Sequence, residues 1–179
     1  LAQAEHDPDA LPVLVATDSG LAGAVDAALE RQLANLPTRD IAAAALENGF
    51  AVIAGSLGEA VEICDRLAPE HLQILTEDAA ETARRLSHYG GLFVGSSSAE
   101  VFGDYGVGPN HTLPTGGVAR FKGGLSVFDF LRVRTWLQMD GGPDTGTAVA
   151  DAAALARLEG LEAHARAAER RLTVLPSER

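Results

Sequence analysis

The chain contains 179 residues, of which 46% are hydrophobic, and no apolar run approaches the length of a membrane span. We therefore expect a soluble protein with one sizeable core, or one core and a small appendage, and no membrane partner. The formal net charge of −11, from 25 acidic and 14 basic residues, argues against a nucleic-acid partner, because such a surface would show a basic stripe.

A single cysteine, Cys64, permits no internal disulfide and predicts a cytoplasmic location. It lies within a helical pattern at residues 60–67, where a packed small hydrophobe is a better interpretation than a nucleophile. The sequence starts at Leu1 rather than at a methionine and shows no signal peptide, which predicts a piece of a longer polypeptide.

The first two thirds of the sequence alternate short apolar segments with amphipathic ones. Four apolar segments have the length and composition of buried strands: residues 12–17, 50–54, 71–75 and 92–94. Helical spacing and capping residues predict helices at about 18–36, 38–48, 57–67 and 78–88. Because strands separated by helices form parallel sheets with right-handed crossovers, we predict an α/β domain over residues 1–124, with a parallel sheet and flanking helices.

A long segment without helix or strand periodicity follows the fourth strand. Residues 103–111 and 114–126 are crowded with glycine and with groups that bind metals or polar ligands. Tyr105, Leu113 and Phe121 supply apolar groups that can pack, which disfavours disorder. Since a structureless run of this length in a compact domain is usually functional, we predict that this glycine-rich segment forms a site.

The pattern changes again after Gly123. Residues 125–137 are amphipathic, residues 141–146 resemble a linker, and residues 147–172 have the composition of a long alanine-rich helix. Such a helix is marginal in isolation and needs packing to persist. We predict a helical tail over residues 125–179 that is domain-swapped in a homodimer, and a tail folded back on its own body is the alternative.

Polar groups that could carry chemistry fall in four places: Gln3 with His6, Glu70 with His71, Asp104 with His111, and Glu159 with His164. Gln3 and His6 would share one face of a helical turn, and Glu70 and His71 stand at the mouth of the third strand, where open α/β sheets place ligands. Each pair also has an ordinary explanation as a frayed terminus, a strand-entry cap or a solvated face. Together the histidines and oxygen donors could fill three or four positions of a zinc site, although composition does not show that they converge.

Six blocks of sequence are more specific together than any of them is alone. They are residues 3–9 (QAEHDPD), 68–72 (APEHL), 103–111 (GDYGVGPNH), 113–117 (LPTGG), 124–130 (GLSVFDF) and 158–165 (LEGLEAHA). In this order and at about this spacing, they resemble the histidinol dehydrogenase family. The resemblance covers nearly the whole chain, and its Pro-Glu-His and Gly-Pro-Asn-His blocks are together very specific.

The resemblance implies oxidation of L-histidinol to L-histidinaldehyde and then to L-histidine with two NAD molecules, at the end of histidine biosynthesis. It also implies one Zn²⁺ per subunit, bound by a glutamine, a histidine and an aspartate of one subunit and a histidine of the other. By motif, these metal ligands are Gln3, His6, Asp104 and His164.

The resemblance assigns the catalytic pair to Glu70 and His71. His71 would accept the proton of the substrate hydroxyl while hydride leaves for NAD, and Glu70 would activate the water that hydrates the aldehyde. Glu159 matches a glutamate of the partner's tail that contacts the substrate. The implied substrate-binding set is then Gln3, His6, His71, Asp104, Glu159 and His164.

Members of the family are much longer than this chain, so the resemblance implies an incomplete Rossmann-like domain followed by the tail. The missing N-terminal half would hold most NAD contacts, and no Gly-x-Gly-x-x-Gly motif opens a helix after a strand here. We therefore expect the zinc and substrate half of the enzyme, inactive by itself. Two alternatives stay open: a paralogous dehydrogenase of another small alcohol, and a truncated, non-catalytic zinc-binding module.

Overall fold

The computed structural model describes residues 1–172 and divides the chain into two units, residues 1–131 and a second unit that begins at Arg132. The first unit is mixed α/β, with short parallel strands and flanking helices, and the second unit is helical. This architecture confirms the predicted fold class.

Two parallel strands and the two helices between them form the first half of the α/β unit: β1 (Val13–Ala16), α1 (Ser19–Leu33), α2 (Arg39–Asn48) and β2 (Phe50–Ile53). Val13 lies opposite Phe50 in the strand pair. Asp18 begins α1 by accepting a hydrogen bond from the Gly20 amide at 2.8 Å, which satisfies one of the free amides of a helix N-terminus.

The second half places a helix before each strand: α3 (Leu57–Leu67), β3 (His71–Ile74), α4 (Ala79–Ala83) and β4 (Gly91–Val94), followed by the short helix α5 (Val101–Asp104). β3 and β4 run parallel with His71 opposite Gly91. The Ser56 hydroxyl accepts a hydrogen bond from the Glu59 amide and begins α3. The strands and helices of this half share a buried apolar cluster of Val61, Ile74 and Leu86.

All four predicted strands are present, but they form two separate pairs rather than one sheet. An apolar pattern indicates that a segment is a strand, whereas pairing depends on contacts between segments distant in sequence, which the pattern does not contain. Phe50 and Ile53 on β2 are each 45% exposed, so apolar surface of the first pair is left uncovered within the described residues.

Helix α4 ends at Ala83, well before its predicted end at His88. A tertiary contact replaces the expected helical turn. The Asp65 carboxylate on α3 accepts hydrogen bonds from the amides of Ser87 and His88 at 2.8 and 2.9 Å. The chain between α4 and β4 therefore bonds to α3 instead of continuing the helix, and Leu86 enters the core.

Cys64 packs beside the same core cluster. Burial, with a smaller contribution from the neighbouring Asp65 carboxylate, raises the pKa of its thiol. Since the thiolate is the reactive form of cysteine, a raised pKa lowers its reactivity at neutral pH. The packing agrees with the interpretation of Cys64 as a packed small hydrophobe.

The amphipathic segment at residues 125–137 contributes a single 3-10 turn, Val127–Phe130, rather than a regular helix. Several of its apolar side chains are almost fully exposed, including Val133 at 94%, Trp136 at 83% and Leu137 at 85%. An amphipathic helix without a surface to pack on is marginal in water, which explains why the pattern does not produce one here.

The alanine-rich segment forms two helices instead of one: α6 (Thr145–Leu158) and α7 (Glu162–Leu172). Gly160 between them has a φ of 77°, a left-handed conformation that glycine adopts at low cost and that commonly ends helices. The buried residues of this helical hairpin are small, with Val149, Ala153 and Ala165 among them. None of the helices in residues 1–172 is both long and apolar enough to span a membrane.

Arg157 links the two helices of the hairpin. Its guanidinium donates to the carboxylates of Glu162 at 3.1 Å and Glu169 at 2.7 Å, and these bonds lower the pKa of both carboxyls. All three groups are solvated, so water and salt weaken the contribution. Because the folded-state pKa values are depressed, the stabilisation is present at neutral pH and is lost as the pH falls through the carboxylate range.

Replacement of Asp65 by alanine should destabilise the junction between α3 and β4. The change leaves the amides of Ser87 and His88 without their shared acceptor and should lower the free energy of unfolding by about 1–2 kcal/mol. Asp65→Asn keeps an accepting oxygen and should lose less. Urea denaturation followed by circular dichroism measures both, with Glu62→Ala on the exposed side of α3 as the control. An Asp65→Ala variant as stable as the control would contradict this account.

Candidate active site

A cavity of about 240 Å³ lies between the second strand pair and the glycine-rich segment. Its lining includes His71, Phe93, Asp104 and His111. Ligands of open α/β sheets usually bind at the carboxyl ends of strands, a rule that was applied to Glu70 and His71 at the mouth of the third strand. The cavity instead lies at the amino ends, because His71 is the first residue of β3 and its partner Gly91 is the first residue of β4.

The turn between α3 and β3 presents Glu70 and His71 side by side. α3 ends at Ala68, which has a left-handed φ of 49°, and the following Pro69 does not continue the helix. His71 Nδ1 lies 4.0 Å from Glu70 Oε1, and the two side chains are 15% and 39% exposed. His71 lines the cavity and Glu70 does not, so a shielded imidazole lies beside a carboxylate that water reaches.

The backbone of this turn is fastened to the start of β4. The Gly90 amide donates to the Pro69 carbonyl at 2.9 Å, and the Gly91 amide donates to the Glu70 carbonyl at 2.7 Å. The approach is close enough that a Cβ on Gly90 would lie 2.6 Å from the Glu70 carbonyl oxygen. Glycine at position 90 therefore permits the backbone contact that places the Glu70–His71 pair.

The glycine-rich segment supplies Asp104 and His111 to the same cavity. Asp104 is the last residue of α5. Beyond it, the Asn110 carboxamide accepts a hydrogen bond from the Thr112 amide at 2.8 Å, and the Thr112 carbonyl accepts one from the Leu125 amide at 2.8 Å. These bonds close the loop around His111 and hold it at the cavity wall.

His111 lines the cavity, although it is absent from the predicted catalytic, substrate-binding and metal-binding residues. By sequence alone, His111 is only the companion of Asp104 in the glycine-rich segment. Its side chain is exposed and lines the cavity together with His71 and Asp104. The available signal was its position at the end of the Gly-Pro-Asn-His block, in a loop already predicted to form a site.

Arg120 connects the glycine-rich segment to the end of α3. Its guanidinium donates to the carbonyl of Arg66 and, at 3.0 Å, to the carbonyl of Gly117. Arg66 lies in the last turn of α3, where carbonyls have no partner within the helix. The contact therefore satisfies a free helix carbonyl and ties the segment to the turn that carries Glu70.

Gln3 and His6 lie in one turn at the start of the chain, where the His6 amide donates to the Gln3 carbonyl at 3.4 Å. Two contacts fix this turn on α2: the buried Ala4 packs with two alanines of the helix, and the Thr38 hydroxyl donates to the Glu5 carboxylate at 2.5 Å. The turn is as predicted, but neither Gln3 nor His6 lines the cavity.

Glu159 and His164 belong to the second unit and lie on either side of Gly160. Glu159 follows the last residue of α6, and His164 lies in the first turn of α7. Both side chains are exposed on the helical hairpin. They are therefore free of the hairpin's own core and accessible to a ligand or to another chain.

No group of three or more histidine, cysteine, aspartate or glutamate side chains within residues 1–172 is arranged to hold a metal ion. The four predicted ligands comprise two imidazoles, a carboxylate and an amide, and nitrogen and oxygen donors suit zinc. If His164 comes from a second subunit, one chain supplies three ligands. Only two of them, His6 and Asp104, are histidine or carboxylate side chains, and the third is the Gln3 amide. The ligand set stays a prediction.

Parallel strand pairs with flanking helices define a mixed α/β protein. A family model described as histidinol dehydrogenase matches residues 1–172. Histidinol dehydrogenases from Geobacillus kaustophilus and Nitratidesulfovibrio vulgaris are 48% and 52% identical, each over 96% of this chain. The crystal structure of histidinol dehydrogenase from Elizabethkingia anophelis matches 98% of the chain with a TM-score of 0.85 and 32% identity. The chain belongs to the histidinol dehydrogenase family.

The chain spans about two fifths of the length of these relatives. It covers 41% of the Geobacillus protein, 39% of the Nitratidesulfovibrio protein and 40% of the Elizabethkingia chain. The relatives are therefore longer polypeptides, and the activity of a whole histidinol dehydrogenase is only a proposal for this chain.

Gly90→Ala should destabilise the protein, because the added Cβ would meet the Glu70 carbonyl at 2.6 Å and the Pro114 ring at 2.9 Å. Overpacking against backbone should lower the free energy of unfolding by about 1–3 kcal/mol. Gly58→Ala is the matched control, since its Cβ meets only ordinary contacts at 3.5 Å or more and α3 should gain helix propensity. Thermal denaturation compares them, and equal effects of the two substitutions would refute the close approach at Gly90.

Proposed function

We propose that this chain is the zinc and substrate half of an NAD-dependent histidinol dehydrogenase, which oxidises L-histidinol to L-histidine through L-histidinaldehyde. The observation that carries the proposal is the cavity shared by His71 and Asp104, in a chain whose family match spans residues 1–172. A cavity of about 240 Å³ suits a substrate as small as an amino alcohol.

His71 acts as the proton acceptor in the first oxidation. The imidazole lines the cavity and is only 15% exposed, so bulk water does not compete strongly for its nitrogen. It would take the hydroxyl proton of the alcohol, and NAD, when bound, would supply the hydride acceptor. The Glu70 carboxylate lies 4.0 Å from Nδ1 of this imidazole.

Glu70 acts in the second oxidation. Its carboxylate is 39% exposed and therefore meets water, whereas His71 is shielded. A carboxylate beside water can remove a proton as the water adds to the aldehyde, which gives the hydrate that is then oxidised to the acid. Different exposure of two adjacent side chains supports a division of labour between the two steps.

Gln3, His6 and Asp104 would hold zinc together with His164 of a second subunit. The turn at the start of the chain presents Gln3 and His6 from one anchored unit, and Asp104 lines the cavity with His71. Their oxygen and nitrogen donors match the chemistry of this ion. When bound, zinc would polarise the alcohol and orient the substrate. Asp104 would then be the zinc ligand that also lines the cavity.

The second unit supports a homodimer with shared sites. Its extended segment exposes Val133, Trp136 and Leu137 almost completely, and a protein surface of this kind is normally covered by a partner. Glu159 and His164 are exposed on the adjoining hairpin. A symmetric exchange of tails would cover the apolar segment and deliver Glu159 to the substrate and His164 to the zinc of the other subunit.

We place most NAD contacts in an N-terminal half of the enzyme, outside the two fifths of the relatives' length that this chain covers. The isolated chain is then inactive, while the complete protein works in the cytoplasm on L-histidinol. Tests of turnover therefore use a polypeptide in which the N-terminal segment of a relative precedes Leu1, referred to below as the extended chain.

Zinc content tests the metal site. His6→Ala and Asp104→Ala should each weaken zinc binding by more than about tenfold, because loss of a group that merely hydrogen-bonds to a ligand already costs roughly 10–100-fold. His88→Ala removes a histidine outside the set and should retain zinc. Metal analysis after dialysis against graded chelator gives the result. Unchanged zinc in both ligand variants would exclude these ligands, and occupancy of the parent should fall on acidification through the histidine range.

Substitution of the catalytic pair tests the division of labour in the extended chain. His71→Asn should slow histidinol oxidation by roughly 10²–10⁴-fold, since it removes the proton acceptor. Glu70→Gln should chiefly slow oxidation of supplied histidinaldehyde, the step that needs activated water. Stopped-flow absorbance of NADH follows both steps, and His88→Asn serves as the control. Normal aldehyde oxidation by Glu70→Gln would show that Glu70 does not have this role.

Mixed dimers test the shared site. Extended chains with His71→Asn and with His164→Ala should each be inactive alone, whereas a mixture after subunit exchange should recover activity, because some dimers assemble one site with both residues intact. Mixing each variant only with itself is the control. No recovery despite exchange demonstrated by mass spectrometry would mean that each chain builds its site alone.

A further inference from the structure

Phe93 lies under the cavity on the same face of the second strand pair as His71. The strands are parallel, with His71 opposite Gly91 and Gln73 opposite Phe93, so these four positions share one face. The Phe93 ring stacks on the His71 ring with centroids 5.9 Å apart and planes 18° apart. Phe93 is only 7% exposed, so its ring is buried beneath the cavity.

Two glycines shape the space that the Phe93 ring occupies. A Cβ on Gly91 would lie 3.3 Å from Phe93 Cε2, so the ring lies over the position where a side chain beside His71 would stand. A Cβ on Gly103 would lie 2.9 Å from Phe93 Cζ, closer than such atoms approach in proteins. The ring therefore fills a slot between His71 and the residue that precedes Asp104.

No hydrogen bond fixes the His71 ring within residues 1–172. Its Nδ1 lies 4.0 Å from the Glu70 carboxylate, beyond the reach of a hydrogen bond. An imidazole can rotate about two side-chain bonds, and a proton acceptor has to be held in one orientation to work efficiently. The stacked Phe93 ring is the contact that restricts this rotation, since offset aromatic pairs have a preferred geometry.

We propose that Phe93 is a positioning residue for the catalytic histidine: its ring, confined by Gly91 and Gly103, orients His71 and spaces it from Asp104. The proposal rests on the assignment of His71 as the proton acceptor. It adds that the rate depends on a buried apolar side chain that exchanges no proton. Removal of the ring should leave His71 in place but free to rotate, and crowding at Gly103 should push the ring toward His71.

The first test uses the 179-residue chain and does not depend on activity. The ring current of a stacked phenylalanine moves the His71 ring protons upfield in a proton–nitrogen or proton–carbon NMR spectrum, and His71→Asn identifies the signals by their loss. Phe93→Leu should return these signals toward the values of an unstacked histidine. Ile74→Val, a buried change on β3, should leave the signals unchanged. Unmoved His71 signals in folded Phe93→Leu would overturn the proposal.

The second test measures turnover in the extended chain. Phe93→Leu keeps an apolar cavity wall and should lower kcat on the order of tenfold with KM altered less than about twofold, because orientation rather than binding is lost. Gly103→Ala keeps the ring but displaces it and should also lower kcat. Ile74→Val controls for a general loss of core packing. Parental kcat in folded Phe93→Leu would overturn the inference.

The two proposals fail in different ways. An extended parent chain that binds zinc but never oxidises histidinol would count against the proposed function, and with it against the positioning role. Suppose instead that the parent oxidises histidinol, that His71→Asn loses this activity and that Phe93→Leu keeps it in full. This result would leave the function intact and reject only the role of Phe93.

Discussion

The parallel pairing of β3 with β4, in the register that sets His71 opposite Gly91, is the constraint on which the candidate site depends. It brings the turn after α3, the start of β4 and the glycine-rich segment to one cavity. A shift of the register by one residue would turn Phe93 to the opposite face and place a bulky leucine, Leu92, beside His71. The pairing of backbone groups between β3 and β4 therefore determines which side chains face the cavity.

Hydrogen bonds around the start of the strand pair keep this register in place. Asp65 holds the chain that enters β4, the Gly90 and Gly91 amides hold the turn that enters β3, and Arg120 holds the end of α3. Such contacts matter here because most buried apolar residues are alanines and no large side chain in the described residues is fully buried. Burial of an alanine stabilises much less than the roughly 1.5–3 kcal/mol of a buried leucine or phenylalanine.

Local patterns predicted the strands to within one residue at each end and α3 at its observed bounds. They failed where a distant group decides the outcome: Asp65 shortens α4, and strand pairing gives two pairs instead of one sheet. They also missed a local stop at Gly160, whose left-handed backbone divides the tail helix. The site shows the same division. Motifs indicated His71 and Asp104, which share the cavity, but Phe93 resembles any strand phenylalanine in sequence, and only the register reveals its contact with His71.

The uncovered strand β2 has a consequence for how the isolated chain behaves at high concentration. β2 pairs only with β1 among the described residues, and Phe50 and Ile53 are each 45% exposed, so an unpaired edge adjoins apolar surface. Edges of this kind recruit strands from other molecules. The net charge of −11 opposes such encounters by mutual repulsion, and salt screens that repulsion beyond about 8 Å at physiological ionic strength. Colloidal stability of the chain therefore decreases as salt is added, so low ionic strength is the condition that keeps it dispersed.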